Sequence, residues 1–91
     1  MPPQRRVVRF RGNVQGVGFR YTALTLARAY DVTGTVRNVP DGTVEAVIEG
    51  ETDEIDAFVD AIDVHMSGYI RRTDQYEAPA TGEFRDFNVR F

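Results

Sequence analysis

The residues best suited to chemistry form a glycine-rich run between residues 12 and 20, with the sequence GNVQGVGFR. An alternating apolar and basic segment precedes this run and an amphipathic segment follows it, which indicates a loop between a strand and a helix. Glycines let consecutive main-chain N–H groups turn toward one point, and a helix N-terminus adds partial positive charge. Arg20 adds a planar guanidinium whose donors match phosphate oxygens. The run therefore predicts a cradle for an oxyanion, most often phosphate.

A plain turn is the alternative explanation, because glycines also relieve backbone strain. Two better-known phosphate motifs do not fit. A P-loop requires Lys followed by Ser or Thr, and the chain contains no lysine. A dinucleotide fingerprint requires glycine three residues after Gly18, where Tyr21 stands. Residues 16–21 faintly echo an RNA-recognition motif, but that pattern belongs on a strand rather than in a turn.

Composition limits the kinds of partner and chemistry. The 91 residues include 14 acidic and 11 basic side chains, and the net charge of −3 argues against nucleic-acid binding through bulk positive charge. Cysteine and lysine are absent, which excludes disulfide, thiolate and Schiff-base chemistry. We find no signal-peptide pattern and no long apolar run, so we expect a soluble cytoplasmic protein with no membrane partner. We predict one domain over residues 1–91, and a monomer.

The sequence around the loop predicts the elements that position it. Residues 1–4 read as a frayed start, and residues 5–13 as a half-buried strand with Val8 and Phe10 on one face. A helix follows the loop, and we expect it to end at Asp31, a residue type that tolerates left-handed geometry. Its apolar residues recur at helical spacing, namely Phe19, Ala23, Leu26, Ala27 and Tyr30.

The second half of the chain shows the same alternation of strand and helix. Strands at residues 32–39 and 43–50 flank Pro40-Asp41-Gly42, a strong reverse-turn signal. Thr52 is the candidate cap of a second helix, which carries an apolar stripe of Ile55, Phe58, Val59, Ile62 and Met66. Residues 69–77 break strict alternation, with Ile70, Thr73 and Tyr76 as inward candidates, so we expect a bulge there. Phe87, Val89 and Phe91 alternate in a closing strand.

The order β-α-β-β-α-β with a C-terminal strand predicts an α+β fold, a ferredoxin-like sandwich. We expect a single antiparallel sheet with two helices on one face. In such a sheet the first strand neighbours the third and the third pairs with the second, so Asn38 can approach the loop across the sheet. Arg37 then lies on the solvent face, because successive strand residues point to opposite sides.

The run at residues 12–20 resembles the signature of the acylphosphatase family. Residues 34–38 (GTVRN) and 41–45 (DGTVE) are similar to the family in order and separation, as are residues 81–84 (TGEF) and the closing Phe87-x-Val89. The resemblance covers nearly the whole chain. Two departures concern structure rather than catalytic positions: residues 66–70 (MSGYI) replace a common Gly-Pro and an Ala/Val-rich strand start, and Asp31 replaces a usual glycine.

The resemblance implies an acylphosphate phosphohydrolase, which cleaves the carboxyl-phosphate bond of acyl phosphates to a carboxylate and inorganic phosphate without metal or cofactor. It implies that Arg20 and Asn38 are catalytic, with Asn38 positioning the attacking water. Inorganic phosphate is the expected product inhibitor. The phosphate-binding residues implied in this way are Gln15, Gly16, Val17, Gly18, Phe19 and Arg20.

A general base is hard to find in the sequence. His65 is the only histidine, and we expect it near the end of the second helix and away from the loop. We therefore expect the phosphate itself to accept the proton of the attacking water. Four carboxylates lie close together in sequence, at Glu45, Glu49, Asp53 and Glu54. We interpret them as a solvated strand face and the first turn of a helix, not as a metal site.

Two other functions stay open at this point. One is a non-catalytic module that binds phosphate or carbamoyl phosphate in a carrier or regulatory role, and the other is an RNA-binding ferredoxin-like module. The length of the chain favours a free-standing enzyme, and the net charge of −3 opposes RNA binding.

Overall fold

The computed structural model describes residues 2–91, so Met1 of the predicted frayed start lies outside the described residues. No helix in this part of the chain is long and apolar enough to cross a membrane. The elements are β1 (Gln4–Gly12), α1 (Phe19–Ala27), β2 (Val32–Asn38), β3 (Val44–Gly50), α2 (Thr52–His65), β4 (Ile70–Pro79) and β5 (Phe87–Arg90). The predicted order of strands and helices, and with it the ferredoxin-like fold, is confirmed.

The five strands form one sheet in the order β4-β1-β3-β2-β5. Three strand pairs are antiparallel, as predicted, but β5 runs parallel to β2, so the expectation of a wholly antiparallel sheet is wrong at this edge. The reason lies in the connection after β4. The end of β4 and the start of β2 lie at the same end of the sheet, since Gln4 pairs with both Pro79 and Gly50, and Gly50 pairs with Val32. The segment after β4 crosses the sheet at that end, so β5 begins beside the start of β2 and runs in the same direction.

Both helices cover one face of the sheet, and the core lies between the two layers. Val8 and Phe10 of β1 are fully buried there, as their alternation predicts. Ring contacts tie the layers together: Phe10 packs against Phe19 of α1 at a centroid distance of 5.0 Å, and Phe58 of α2 packs against Phe87 of β5 at 5.1 Å. The predicted stripe of α2 is also buried in this core, at Ile55, Phe58, Val59, Ile62 and Met66.

The end of α1 and the start of α2 differ from the predictions. Helix α1 ends at Ala27, earlier than expected, and Asp31 is not left-handed, because no described residue other than glycine has a positive φ. The main-chain N–H of Asp31 instead donates to Glu54 of α2 at 2.7 Å. Thr52 is the first residue of α2 rather than its cap, and its hydroxyl donates to the side chain of Gln4 at 3.1 Å.

The two edge strands account for the remaining differences. The expected bulge occurs in β4, where the register shifts opposite Arg11 and Gly12. Beyond this bulge Thr73 faces the helices and donates to Asp63, whereas Tyr76 pairs with Val7 on the open face of the sheet and is 62% exposed. Tyr76 is therefore not an inward residue. Strand β5 ends at Arg90, so Phe91 lies beyond it and is 94% exposed.

Candidate active site

The glycine-rich loop joins β1 to α1 and has the backbone geometry of an anion cradle. Gly16 and Gly18 have φ values of 78° and 76°, in the left-handed region, whereas Val17 between them does not. Alternation of this kind turns successive N–H groups into a concave nest. A β-carbon at either glycine would meet no atom within 4 Å, so the backbone conformation and not crowding favours glycine here.

The main-chain N–H groups of this loop are free to bind a ligand. Within residues 2–91, no acceptor takes a hydrogen bond from the N–H groups of residues 15–20. The last of them form the first turn of α1, where intrahelical partners are missing by geometry. Gly18 is the N-cap of α1, and no side chain caps the helix. This set of unpaired donors lies at the positive end of the helix dipole.

The guanidinium of Arg20 is held beside the loop without a counter-ion. Its Nη1 donates to the carbonyl of Arg90 at 3.1 Å, and its central carbon lies 4.8 Å from the ring centroid of Phe91. No carboxylate in the described part of the chain forms an ion pair with it. Other arginines do form such pairs, namely Arg5, Arg6, Arg9, Arg11, Arg37 and Arg72. The positive charge of Arg20 is thus available to an anion.

Asn38 and Arg37 lie at the end of β2 on opposite faces of the sheet. Asn38 pairs with the buried Val44 on the helix-covered face, and its side chain makes no hydrogen bond to any described residue. Arg37 points to the open face, where its Nε lies 3.1 Å from the carboxylate of Glu45. The prediction that Arg37 lies on the solvent face is confirmed. The strand order β1-β3-β2 brings Asn38 toward the loop across the sheet, as expected.

A pocket of about 270 Å³ brings most of the predicted residues together. Arg20 and Asn38 both line it, although 18 positions separate them in sequence. The complete lining is Val14, Gly16, Gly18, Phe19, Arg20, Tyr21 and Asn38. Val14 and Tyr21 were not predicted. The apolar character of Val14 inside a polar loop was a usable signal, whereas the position of Tyr21 depends on how α1 is rotated.

The side chain of Gln15 does not line the pocket and instead contacts the turn between β2 and β3. Its Nε2 donates to the carbonyls of Val39 at 2.7 Å and Thr43 at 2.9 Å, which lie at the two ends of the β2–β3 turn. In that turn the carboxylate of Asp41 accepts from the N–H and hydroxyl of Thr43, and these bonds lower the pKa of Asp41. Gln15 therefore ties the loop to the turn, and only its main-chain N–H is left for an anion.

Titratable groups other than Arg20 and Tyr21 do not line the pocket. His65 lines a neighbouring cleft together with Tyr21, closer to the start of α1 than the sequence suggested, and its Nδ1 donates to the carbonyl of Ala61. The acidic residues lie elsewhere: Glu45 pairs with Arg9 and Arg37 on the open face, and these pairs lower its pKa even though burial opposes that shift. Across residues 2–91, no group of three or more His, Cys, Asp or Glu residues could hold a metal.

One larger cleft, of about 490 Å³, lies at the opposite end of the sheet beside Glu49 and Thr81, and it does not offer such a set of donors. There the main-chain N–H groups of Thr81 and Gly82 are already used by the carboxylate of Glu49. The pocket beside Arg20 thus combines unpaired amides with an unpaired cation, which makes it the candidate site for an anionic substrate.

Comparison with known proteins finds one family over nearly the whole chain. The family model described as Acylphosphatase matches residues 6–89. The acylphosphatase of Thermoplasma volcanium is 40% identical over 86 residues, which cover 93% of this chain and 94% of that protein. The crystal structure of acylphosphatase from Bacillus subtilis superposes with a TM-score of 0.84 at 28% identity, over 98% of this chain and 99% of that one. Full-length HypF, in its phosphate- and nucleotide-bound form, matches with a TM-score of 0.83 at 29% identity, over 98% of this chain but 12% of HypF.

Proposed function

This chain belongs to the acylphosphatase family and hydrolyses the carboxyl-phosphate bond of acyl phosphates, and we propose that the loop of residues 15–20, with Arg20 and Asn38, carries out the reaction. The observation behind this assignment is the pocket itself. Unpaired main-chain donors, an arginine without a counter-ion and an asparagine without a partner all border one space of about 270 Å³.

Binding begins with the phosphoryl group in the nest of amides. The N–H groups of residues 15–20 donate to its oxygens, and the guanidinium of Arg20 adds charge-assisted hydrogen bonds. Because no described carboxylate competes for Arg20, its full charge acts on the substrate. Val17 and Gln15 contribute through the main chain alone in this scheme, since neither side chain lines the pocket.

In the chemical step a water oxygen forms a bond to phosphorus while the bond from phosphorus to the acyl oxygen breaks. The electron pair of that bond leaves with the carboxylate, and the attacking and leaving oxygens stand in line. Negative charge then spreads over the equatorial phosphoryl oxygens, where the amides and Arg20 stabilise it. Asn38 positions the water, because its side-chain oxygen can accept a hydrogen bond from that water while its NH₂ group donates to the phosphoryl group.

The proton released by the water goes to the phosphate. No histidine or carboxylate lines the pocket, so the phosphoryl oxygens are the acceptors at hand. His65→Ala should leave the pH dependence of kcat/KM unchanged between pH 5 and 8. A steep limb near neutrality that disappears in His65→Ala would show instead that a side chain takes the proton.

We also propose that the enzyme works as a monomer in the cytoplasm on small acyl phosphates, with inorganic phosphate as a competing product. One chain supplies the whole pocket, which supports a monomeric enzyme. A nucleic-acid partner is not part of the proposal, because arginines on the open face such as Arg5, Arg9 and Arg37 are paired with carboxylates. Light scattering after gel filtration tests the monomer, and a salt-dependent RNA shift would contradict the last point.

The decisive experiment compares Arg20→Ala with Arg37→Ala in the presence of EDTA. We expect Arg20→Ala to lower kcat/KM for benzoyl phosphate by at least about 10²–10³-fold, since one key electrostatic donor is lost. Inhibition by inorganic phosphate should weaken in parallel. Arg37→Ala removes the same charge from the open face and should change kcat/KM less than twofold, roughly the effect of a distant surface charge.

Two outcomes would contradict the assignment. Turnover retained by Arg20→Ala would remove Arg20 from the mechanism, and activity lost with EDTA would show that a metal is needed. Phosphate binding without turnover by the wild-type chain would favour the non-catalytic role that the sequence left open.

A further inference from the structure

A second cleft opens beside the phosphate pocket, between the outer parts of the two helices. This interhelical cleft has a volume of about 330 Å³ and is lined by Tyr21, Thr22, Thr25, Leu26 and His65. Tyr21 also lines the phosphate pocket, so this residue borders both spaces. Tyr21 is 57% exposed and its ring packs against no described aromatic ring, so the ring is accessible to a ligand.

The in-line geometry of the reaction decides on which side of the pocket the acyl group leaves. Asn38 lies on the sheet, at the end of β2, so the attacking water approaches from the sheet side. The acyl oxygen must then depart away from the sheet, toward the helices. Arg20 is turned toward β5, where it contacts the carbonyl of Arg90. Tyr21 follows one position later, rotated by about 100° around α1, and lines the interhelical cleft that His65 of α2 also borders.

We propose that Tyr21 and the interhelical cleft form the acyl subsite, and that this subsite favours substrates with an aromatic or other apolar acyl group. The inference rests on the proposed function of the phosphate pocket. The cleft offers the faces that such a group needs: the ring of Tyr21, the methyl groups of Thr22 and Thr25, and the partly buried side chain of Leu26. An aromatic acyl group stacks on Tyr21 in an offset or edge-on arrangement, whereas an acetyl group is too short to use the cleft.

The test compares benzoyl phosphate with acetyl phosphate, using the ratio of their kcat/KM values. Tyr21→Ala should lower this ratio about 3–10-fold, the size of one aromatic contact. Tyr21→Phe should preserve the ratio, because the ring and not the hydroxyl makes the contact. Inhibition by inorganic phosphate should change less than about twofold in both variants, since the amides of residues 15–20 and Arg20, and not the ring of Tyr21, donate to phosphate in the proposed function. Tyr76→Ala is the matched control, a tyrosine of similar exposure on the open face.

A second variant tests the subsite without removing Tyr21. Thr25→Phe fills the interhelical cleft from α1 and should lower kcat/KM for benzoyl phosphate several-fold more than for acetyl phosphate. This result remains informative if Tyr21→Ala does not fold.

Each outcome separates the two proposals. An unchanged ratio in Tyr21→Ala and Thr25→Phe overturns the acyl subsite. An equal loss on both substrates also overturns it, because Tyr21 would then serve the phosphate pocket or the fold. If Arg20→Ala retains full turnover, the proposed function fails. If Arg20→Ala is inactive while Tyr21→Ala leaves the ratio of the two kcat/KM values unchanged, only the acyl subsite fails.

Discussion

The position of Asn38 in β2 decides on which face of the sheet its side chain lies. Its neighbour Arg37 is the more tempting residue for phosphate chemistry, since a guanidinium binds phosphate strongly. Yet alternation places the amide of Asn38 on the helix-covered face beside the pocket, and the guanidinium of Arg37 on the open face against Glu45. The candidate site thus contains one cation and one neutral amide, not two cations.

We predict that Asn38→Ala lowers kcat for an acyl phosphate by about 10²–10³-fold, while KM changes less than about threefold. In the proposed mechanism the loop and Arg20 hold the phosphate and Asn38 orients the water, so the variant should still bind substrate but lose the orientation of water in the transition state. Steady-state kinetics on wild type and Asn38→Ala measure the effect, with Arg37→Ala as the neighbouring control. A rise in KM with unchanged kcat would assign Asn38 to substrate binding instead.

The predictable part of the site is the part that is local in sequence. The positive φ values of Gly16 and Gly18 could be predicted from residue type, because glycine adopts this conformation readily. Arg20 lies two positions after Gly18, so its place beside the loop was also predictable. The side-chain contact of Gln15 with Val39 and Thr43 spans 24 and 28 positions, and nothing in the loop sequence indicates which carbonyls it meets. Residue type therefore predicted the main-chain donors, while side-chain destinations depended on tertiary packing.

At the scale of elements, the loop and the β2–β3 turn form one unit through Gln15. The turn was predictable because Pro40, Asp41 and Gly42 each have a local conformational reason to be there, and the structure has Gly42 at φ 93° and a hydrogen bond from Gly42 to Val39. The direction of β5 was not predictable in this way. It follows from which edge of the sheet the chain reaches after β4, a long-range property that no alternation pattern encodes.

We predict that Gln15→Met, which keeps the length of the side chain but removes both donors, lowers the free energy of unfolding by about 1–2 kcal/mol. The cost is moderate because the carbonyls of Val39 and Thr43 each keep another hydrogen bond, from Gly42 and from Val39 respectively. The loop should also be less well ordered, so inhibition by inorganic phosphate should weaken several-fold. Urea unfolding and inhibition assays measure the two effects.

Saturating phosphate supplies the control for this prediction. Because a ligand that binds only the folded state stabilises it, phosphate should stabilise Gln15→Met less than wild type at the same concentration. Equal stabilisation of both proteins would mean that the contact of Gln15 with the turn does not order the phosphate-binding loop.

At the scale of the molecule, the phosphate pocket lies at one end of the sheet. A group of hydrogen bonds around one carboxylate, called the carboxylate latch below, lies at the other end, about 20 Å away along the seven residues of β3. The latch is the 5% exposed carboxylate of Glu49. It accepts hydrogen bonds from the N–H groups of Thr81 and Gly82, both at 2.9 Å, and from Arg5 at 2.7 Å. These bonds fix the segment that carries the chain from β4 to β5, on which the parallel edge strand depends.

The protonation state of Glu49 links this latch to pH. Burial alone would raise its pKa, but the hydrogen bonds from the Thr81 N–H, the Arg5 side chain and the Gly82 N–H outweigh burial and lower the pKa of Glu49 to about 2. The folded pKa thus lies below the value of 4.5 for an unperturbed glutamate. A depressed pKa means that the stabilisation is fully present well above pH 4.5 and is lost as the pH falls toward 2.

We predict that Glu49 contributes about 3 kcal/mol to stability at pH 7, of which about 2 kcal/mol is lost by pH 3. Glu49→Gln should therefore be less stable than wild type at pH 7, and the difference should shrink as the pH is lowered to 3. Urea unfolding at both pH values measures it, with Glu83→Gln as control, a 56% exposed partner of Arg5. Because the latch and the pocket lie at opposite ends of the sheet, kcat of Glu49→Gln at pH 7 and 25 °C should stay within about twofold of wild type. A difference that does not vary with pH would show that the bonds to Thr81 and Gly82, and not the charge, provide the stabilisation.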